Sequence, residues 1–542
     1  MEAAKEVVYQ IYPKSFQDTT GSGLGDLQGI IKHLDYLKDL GVTMLWLTPI
    51  YPSPQNDGGY DVADYCAIDP AYGTMEDFEE LVAEAKKRGI GIMLDVVFNH
   101  TSTEHEWFKK AMEGDPKYKN YYIWKKGHDG KLPTNWESKF GGPVWEYVPK
   151  FDEYYLHLFD PTQADLNWEN PEVREEVYKV LKFWLDKGVK GFRFDVINEI
   201  SKGSYEDDFI GVGKRFYTDG PKVNEYLHGI YENCFVGQDI LTVGEMSTAT
   251  TERCAEYTKP ENEELDMAFN FHHLKTDYAG KEKWTSMDFD FQELKELFNR
   301  WDVEMEEKGG WNALFWTCHD QPRALSRFGS DDKFRKQAGK MLGAVSFTRR
   351  GTPYIYQGEE IGMTDPGFTD LDQYRDVESL NAHRIMKEHG VPEEKIMRIL
   401  SEKSRDNART PMQWNARGSF TTGTPWIEIT PNQETINAEE SQADPDSIYR
   451  YYQQLIELKK NSPVLQEGST KPLLEDHPQI YAYRRVLGAE EMLMVHNFYG
   501  TDTRLPLEEI REYDIVMSNY PDTQLKAGMT LRPYESLILK KK

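Results

Sequence analysis

The chain is predicted to fold as an α/β protein built on a (β/α)8 TIM barrel, with an irregular insertion after strand three and a C-terminal antiparallel β domain. Three observations predict this. Short β-branched or aromatic runs alternate with helical patterns over most of the 542 residues. The alternation breaks once, from residue 101 to about 168. It stops for good near residue 467. Eight such strand–helix alternations point to a closed parallel barrel rather than an open sheet.

The elements follow in order. The first strand run is 7–13, Val-Val-Tyr-Gln-Ile-Tyr-Pro. A helix is predicted from Asp26, with Leu27, Ile30, Ile31, Leu34 and Leu37 on one face and Gly41 at its end. The second run is 44–50, and a helix starts at Thr74, where Asp77 completes a capping-box pattern. Residues 90–99 form the third run. Residues 101–168 are rich in Trp, Tyr, Lys, Gly and Pro without sustained period, too long for an ordinary loop. Asn170-Pro171 restarts the alternation as an N-cap with proline at the first helical position. The remaining runs are 191–197, 240–246, 265–271, 312–320 and 351–358. The expected division is a barrel of residues 1–100 and 169–466, an insertion domain of 101–168, and a C-terminal β domain of 467–542.

Net charge is -28. So acidic a chain repels nucleic acid and anionic lipid, which argues against both as partners. No stretch of about 18 apolar residues suggests a membrane span. The start, Met-Glu-Ala-Ala-Lys, lacks the pattern of a signal peptide. The four cysteines form no Cys-x-x-Cys pair, so they read as free thiols in a reducing compartment; a cytoplasmic location and a monomer are expected.

In such a barrel the chemistry lies at the C-terminal strand ends. There stand Asp95 and His100, Arg193 and Asp195, Glu245, and His319 with Asp320. One carboxylate after a strand is commonly a helix cap or an ion-pair partner. Several converging on one barrel mouth repel one another, a cost tolerated at active sites. Their types fit cleavage of a glycosidic bond with retention, which needs two carboxyl groups about 5 Å apart. Arg193, two residues before Asp195 on the same strand face, would keep Asp195 ionised. Glu245 must hold a proton at neutral pH, which requires burial beside other carboxylates. Asp320 could grip ring hydroxyls.

At these residues the sequence resembles the α-amylase superfamily of retaining α-glycosidases, through Asp-Val-Val-Phe-Asn-His100, Gly-Phe-Arg-Phe-Asp195, Gly-Glu245 and His319-Asp320. The resemblance implies that Asp195 is the nucleophile, Glu245 the acid/base and Asp320 the transition-state stabiliser. It implies that His100, His319 and Arg193 line the −1 subsite with Tyr60 and Asp61 of Gly-Gly-Tyr-Asp, and that Arg409 pairs with Asp61 to close an exo-acting pocket. Gln163 in Gln-Ala-Asp-Leu-Asn and Val196 resemble the oligo-1,6-glucosidase-like branch. Within it, segments 215–221, 269–275, 282–284 and 311–316 resemble members acting on a phosphorylated disaccharide. That substrate sharpens an electrostatic problem, since a dianion needs fixed positive charge, and Lys275 and Lys283 are the lysines in those segments. Phe194 and Glu199 depart from the branch, where leucines are more usual. No cofactor is implied for the chemistry. The loop Asp18-Thr-Thr-Gly-Ser-Gly-Leu-Gly-Asp26 resembles the family's structural calcium loop, with Asp18, Thr20, Ser22 and Asp26 as its ligand positions. The alternative is a glycine-rich turn closed by Asp26 as a helix cap.

Overall fold

The computed structural model describes residues 2–246 and 248–542. Eight parallel strands form its centre: β1 (Val8–Ile11), β2 (Met44–Leu47), β3 (Gly91–Val96), β4 (Gly191–Phe194), β5 (Leu241–Met246), β6 (Met267–Asn270), β7 (Ala313–Leu314) and β8 (Thr352–Tyr356). Their spatial order is β6-β5-β4-β3-β2-β1-β8-β7. A parallel bridge from Ala268 to Asn312 joins β6 to β7 and closes the barrel. All eight predicted runs contain a strand, but most strands are shorter than the run. Most of the extra residues lie beyond the C-terminal strand ends, where the chain leaves the barrel wall.

Helix signals hold at the residue level. Thr74 accepts from the Asp77 backbone N–H and Asp77 returns the bond, so the capping box is complete. Asn170 caps the helix Pro171–Asp186. The helix predicted from Asp26 breaks at His33 into Leu27–Lys32 and Leu34–Leu40. His33 stacks face to face on Trp414, ring centroids 3.4 Å apart, and its Nε2 lies 2.8 Å from Gln17 Oε1. Trp414 comes from far along the chain and Gln17 from outside the helix, so the helical periodicity could not show the break.

The insertion is more regular than its composition suggests. It holds the helix Glu106–Glu113 and a three-stranded antiparallel sheet of Trp124–Lys125, Glu153–Leu156 and Trp145–Val148. Trp136, Trp145, Leu156 and Leu158 pack with Tyr217 of the loop after β4, which seats the insertion over the barrel mouth. His100–Ser102 pairs antiparallel with Gln163–Asp165, setting His100 opposite Asp165. Both ends of the insertion are thereby anchored beside the site. The C-terminal part is a five-stranded antiparallel sheet from Ser469–Leu473 to Ser536–Lys541, facing a two-stranded one. Ile480, Leu493, Val495, Leu505, Leu531 and Leu537 form the core between them. Among the described residues no helix is long and apolar enough to cross a membrane.

Candidate active site

The period of two along a strand decides which side chains meet inside the barrel. Arg193 and Asp195 point inward. Phe194 points outward and packs near Phe98, Phe192 and Phe235. The unusual Phe194 is therefore a packing residue and not part of the pocket.

Asp95 and Arg193 are opposite each other in the β3–β4 register. Arg193 is 1 % exposed and is the hub. Its Nη1 donates to Asp95 Oδ1 at 2.8 Å and Asp195 Oδ1 at 2.6 Å, and its Nη2 to Glu245 Oε2 at 2.5 Å. Trp46 Nε1 and Tyr60 Oη donate to Asp95 Oδ2 at 3.1 and 2.8 Å. Asp95 thus accepts from three donors, which stabilises its anion and locks the guanidinium between the other two carboxyls. Val196 follows Asp195 with φ 36° and ψ 41°, a strained left-handed conformation for a β-branched residue. That turn aims the Val196 N–H at Glu245 Oε2, 3.3 Å away.

These environments separate the two acids. Burial pushes Asp195 up, while Arg193 pulls it down and the repulsion of Asp95 raises it again. Burial pushes Glu245 up to about 8; Arg193 opposes this, and the charges of Asp195 and Asp320 and the hydrogen bond with Asp195 add to the rise. Glu245 is the better proton holder of the two. Their direct hydrogen bond puts the carboxyls closer than the roughly 6.5–9.5 Å gap of inverting enzymes. An anionic Asp195 beside a protonated Glu245 can carry out a double displacement at an anomeric carbon. The proton on Glu245 is lost as pH rises through about 8, so kcat on an unactivated disaccharide is expected to fall above that pH. A pH–rate series checks this: a nitrophenyl glucoside, whose leaving group needs no proton, should lack that alkaline limb in its glycosylation step.

Asp320 differs from both. Burial would raise it, but His319, Arg405 and Arg409 together hold it far below the usual carboxylate range. Arg409 Nη2 and Arg405 Nη1 lie 3.0 and 3.2 Å from Asp320 Oδ1, and His319 Nε2 lies 3.1 Å from Oδ2. Gln10 Nε2 donates to His319 Nδ1 at 2.7 Å, which leaves the proton of a neutral ring on Nε2. Burial lowers His319 to about 3 and His100 to about 4, so both rings are neutral at working pH. Tyr60 stacks on His319, centroids 5.2 Å apart and 5° between planes.

One expected contact is different in the structure. Asp61 does not meet Arg409. It is buried and accepts from Ser53 Oγ at 2.9 Å and from the Asn56 and Asp57 backbone at 2.9 and 3.1 Å, so it holds its own loop in shape. The pair that closes the pocket lies four residues earlier on both partners: Arg405 Nη2 donates to Asp57 Oδ1 at 2.9 Å. Arg405 also binds Asp376 and lies over the Phe140 ring of the insertion at 5.1 Å. Gln163 Nε2 donates to Asp57 Oδ2 at 3.0 Å and lies 3.1 Å from His100 Nε2, so it braces this wall. Asp57, Asp376 and Arg405 were missed by sequence reasoning, and Asp95 was seen at its strand end but given no role. Asp57 directly precedes the Gly-Gly-Tyr-Asp motif and Arg405 stands four residues before Arg409, so each has a like residue nearby from which only its direction in space tells it apart.

Lys283 is ion-paired: its Nζ lies 2.5 Å from Glu378 Oε2, and Glu378 is 3.4 Å from Arg405 Nε. Lys275 ends the turn His272–Lys275 after β6. Burial pushes it down to about 8, helped by the positive charges of Lys214, Lys139 and Lys281. Its surroundings are cationic.

The Asp18–Asp26 loop does not fit a calcium ion. Asp18 Oδ1 accepts from the Thr20 and Gly21 N–H and from Thr20 Oγ1, and Oδ2 from the Gly23 N–H and Thr421 Oγ1. Asp26 caps the next helix through Gly29 N and accepts from Thr19. Thr20 Oγ1 and Ser22 Oγ are hydrogen-bonded within the same turn. Among the described residues no group of three or more His, Cys, Asp or Glu is placed to hold a metal ion.

Comparison with known proteins agrees with this geometry. A family model described as the alpha-amylase catalytic domain matches residues 10–468, and one described as the alpha-amylase SusG C-terminal domain matches 480–538. The chain is 53% identical to a trehalose-6-phosphate hydrolase of Bacillus subtilis, covering 98% of this chain and 97% of that one. It is 46% identical to an oligo-1,6-glucosidase of Bacillus cereus, covering 99% of each. The crystal structure of a Bacillus licheniformis trehalose-6-phosphate hydrolase superposes with a TM-score of 0.95 at 53% identity, covering 99% of each chain. With its barrel, its carboxyl triad and full-length relatives among the glycoside hydrolases, the chain belongs to the α-amylase family.

Proposed function

We propose that the protein hydrolyses trehalose 6-phosphate to glucose and glucose 6-phosphate with retention, the plain glucosyl ring at −1 and the phosphorylated ring outside it. Asp195 attacks the anomeric carbon while Glu245 gives its proton to the leaving oxygen, releasing glucose 6-phosphate. Glu245 then takes a proton from water, which displaces Asp195 and frees glucose. Asp320, His100 and His319 grip the ring hydroxyls, and Arg405 with Asp57 blocks the far end, so one residue is removed at a time. No cofactor takes part. The residue roles, the division into 1–100 with 169–466, 101–168 and 467–542, and a monomeric cytoplasmic state belong to the same reading. The relatives at 53% identity support the substrate.

The observation that carries the substrate is Lys275 with Lys139 and Lys214 around it. An ammonium held down by burial and by like charges gains most from an arriving dianion. Below about pH 8 Lys275 is a cation; as pH rises through that value its charge, and with it the phosphate contact, is lost. One charge-assisted hydrogen bond contributes about 1.5–3 kcal/mol, or roughly 10–150-fold in affinity. Accordingly kcat/KM for trehalose 6-phosphate should exceed that for trehalose by at least this factor, and Lys275→Met should remove most of the difference. Comparing both substrates with isomaltose, in both proteins, decides the matter. A preference for isomaltose would replace this reading by that of an oligo-1,6-glucosidase.

A further inference from the structure

One buried charge beside the nucleophile has no part in the double displacement. Glu199 ends the short turn Ile197–Glu199 directly after Asp195 and Val196, and its side chain has 0% exposure. It is ion-paired with Lys139 of the insertion, whose side chain is 18% exposed. Lys139 lies over the Phe159 ring at 5.0 Å, and Phe159 lies 5.2 Å from His100. The next residue, Phe140, carries the Arg405 guanidinium on its face. The ion pair thus stands one ring behind the −1 pocket, on the side where the charges of Lys139 and Lys214 act on Lys275. A carboxylate is tolerated at such depth only against a matching cation.

We propose that Glu199 is a specificity-determining residue: its carboxylate and the substrate phosphate share Lys139, so Glu199 positions the lysine in the empty pocket and limits how strongly the pocket prefers a phosphorylated sugar. The proposal rests on the reading of this lysine rim as the phosphate subsite. Pre-positioning lowers the cost of ordering a long side chain on binding. The same carboxylate subtracts one unit from the charge that an incoming dianion meets. In wild type the three lysines and Glu199 sum to two positive charges. Glu199→Gln makes this three, Lys139→Gln makes it one, and the double variant restores two.

The test is the ratio of kcat/KM for trehalose 6-phosphate to that for trehalose, with kcat and KM resolved separately, in the full-length protein and these three variants. One charge at partly buried range is expected to move the ratio roughly tenfold, upward in Glu199→Gln and downward in Lys139→Gln, mainly through KM for the phosphorylated substrate. The double variant should return close to the wild-type ratio. If Glu199→Gln does not fold, the double variant decides. A return to the wild-type ratio supports charge counting, whereas a ratio as low as that of Lys139→Gln means that Glu199 only supports the fold. An unchanged or lowered ratio in a folded Glu199→Gln also overturns the proposal. Wild type showing no preference for trehalose 6-phosphate sinks the substrate reading itself, a separate result from preference that Glu199 does not tune.

Discussion

Asp195→Asn is expected to lower kcat/KM by about 10⁴-fold or more, while the melting temperature stays level or rises. The activity loss follows from removing the carboxylate proposed to attack the anomeric carbon. The stability result follows from the surroundings. Asp195 is 7 % exposed and faces Asp95 and Glu245 across one guanidinium, so its charge is held against burial and repulsion. An amide of the same shape removes that cost, and active sites commonly give up stability for function in this way. Steady-state kinetics and a thermal melt check both halves. Near-normal activity would overturn the assignment, and a large fall in melting temperature would mean that Asp195 stabilises the fold. Glu245→Gln makes the companion case. It should be equally poor on a disaccharide, yet cleave a nitrophenyl glucoside with azide as an external nucleophile, because only proton transfer is missing.

Arg193→Met is expected to lose about 10³-fold in kcat, the scale of removing a fixed charge aimed at the reacting groups, and about 3–5 kcal/mol of stability, the cost of breaking a buried ion pair from one side. Among the described residues Arg193 is the only cation that bonds Asp95, Asp195 and Glu245. Without it all three carboxyls are pushed further above their unfolded values. A carboxyl raised on folding contributes stability at low pH that is lost as pH rises through its folded value. The destabilisation should therefore be larger at pH 8 than at pH 5, in urea titrations against wild type. Adding Asp195→Asn should recover part of the stability and none of the activity. A pH-independent loss would show that the arginine acts by packing over Trp46 and Tyr60, 5.1 and 5.7 Å from their rings, more than by charge.

Much of this site was legible along the chain. Arg193 and Asp195 share a face because a strand alternates, and the β3–β4 register then puts Arg193 against Asp95. Glu245 and Asp320 were visible as charges at strand ends. The errors were made where two like residues stand four apart. Asp57 and Asp61 share one loop, and Arg405 and Arg409 flank one helical turn, Asp406–Arg409. Both arginines reach Asp320, but only Arg405 and Asp57 form the pair that closes the wall, and residue type does not say which members meet.

The periodic parts of this protein were determined by sequence alone: eight strand runs and the caps at Thr74 and Asn170. These depend on neighbours within a few residues, where spacing translates directly into direction. Tertiary structure alone decided which charges meet. Lys283 is matched by Glu378, Lys139 by Glu199, and Arg405 by Asp57, each across about 60 to 350 residues of chain. The break at His33 and the hydrogen-bonded closure of the Asp18 loop through Thr421 are of the same kind. Charge pairing depends on distance in space, falling steeply once groups separate, and chain spacing carries no information about it when the partners sit on different strands' loops.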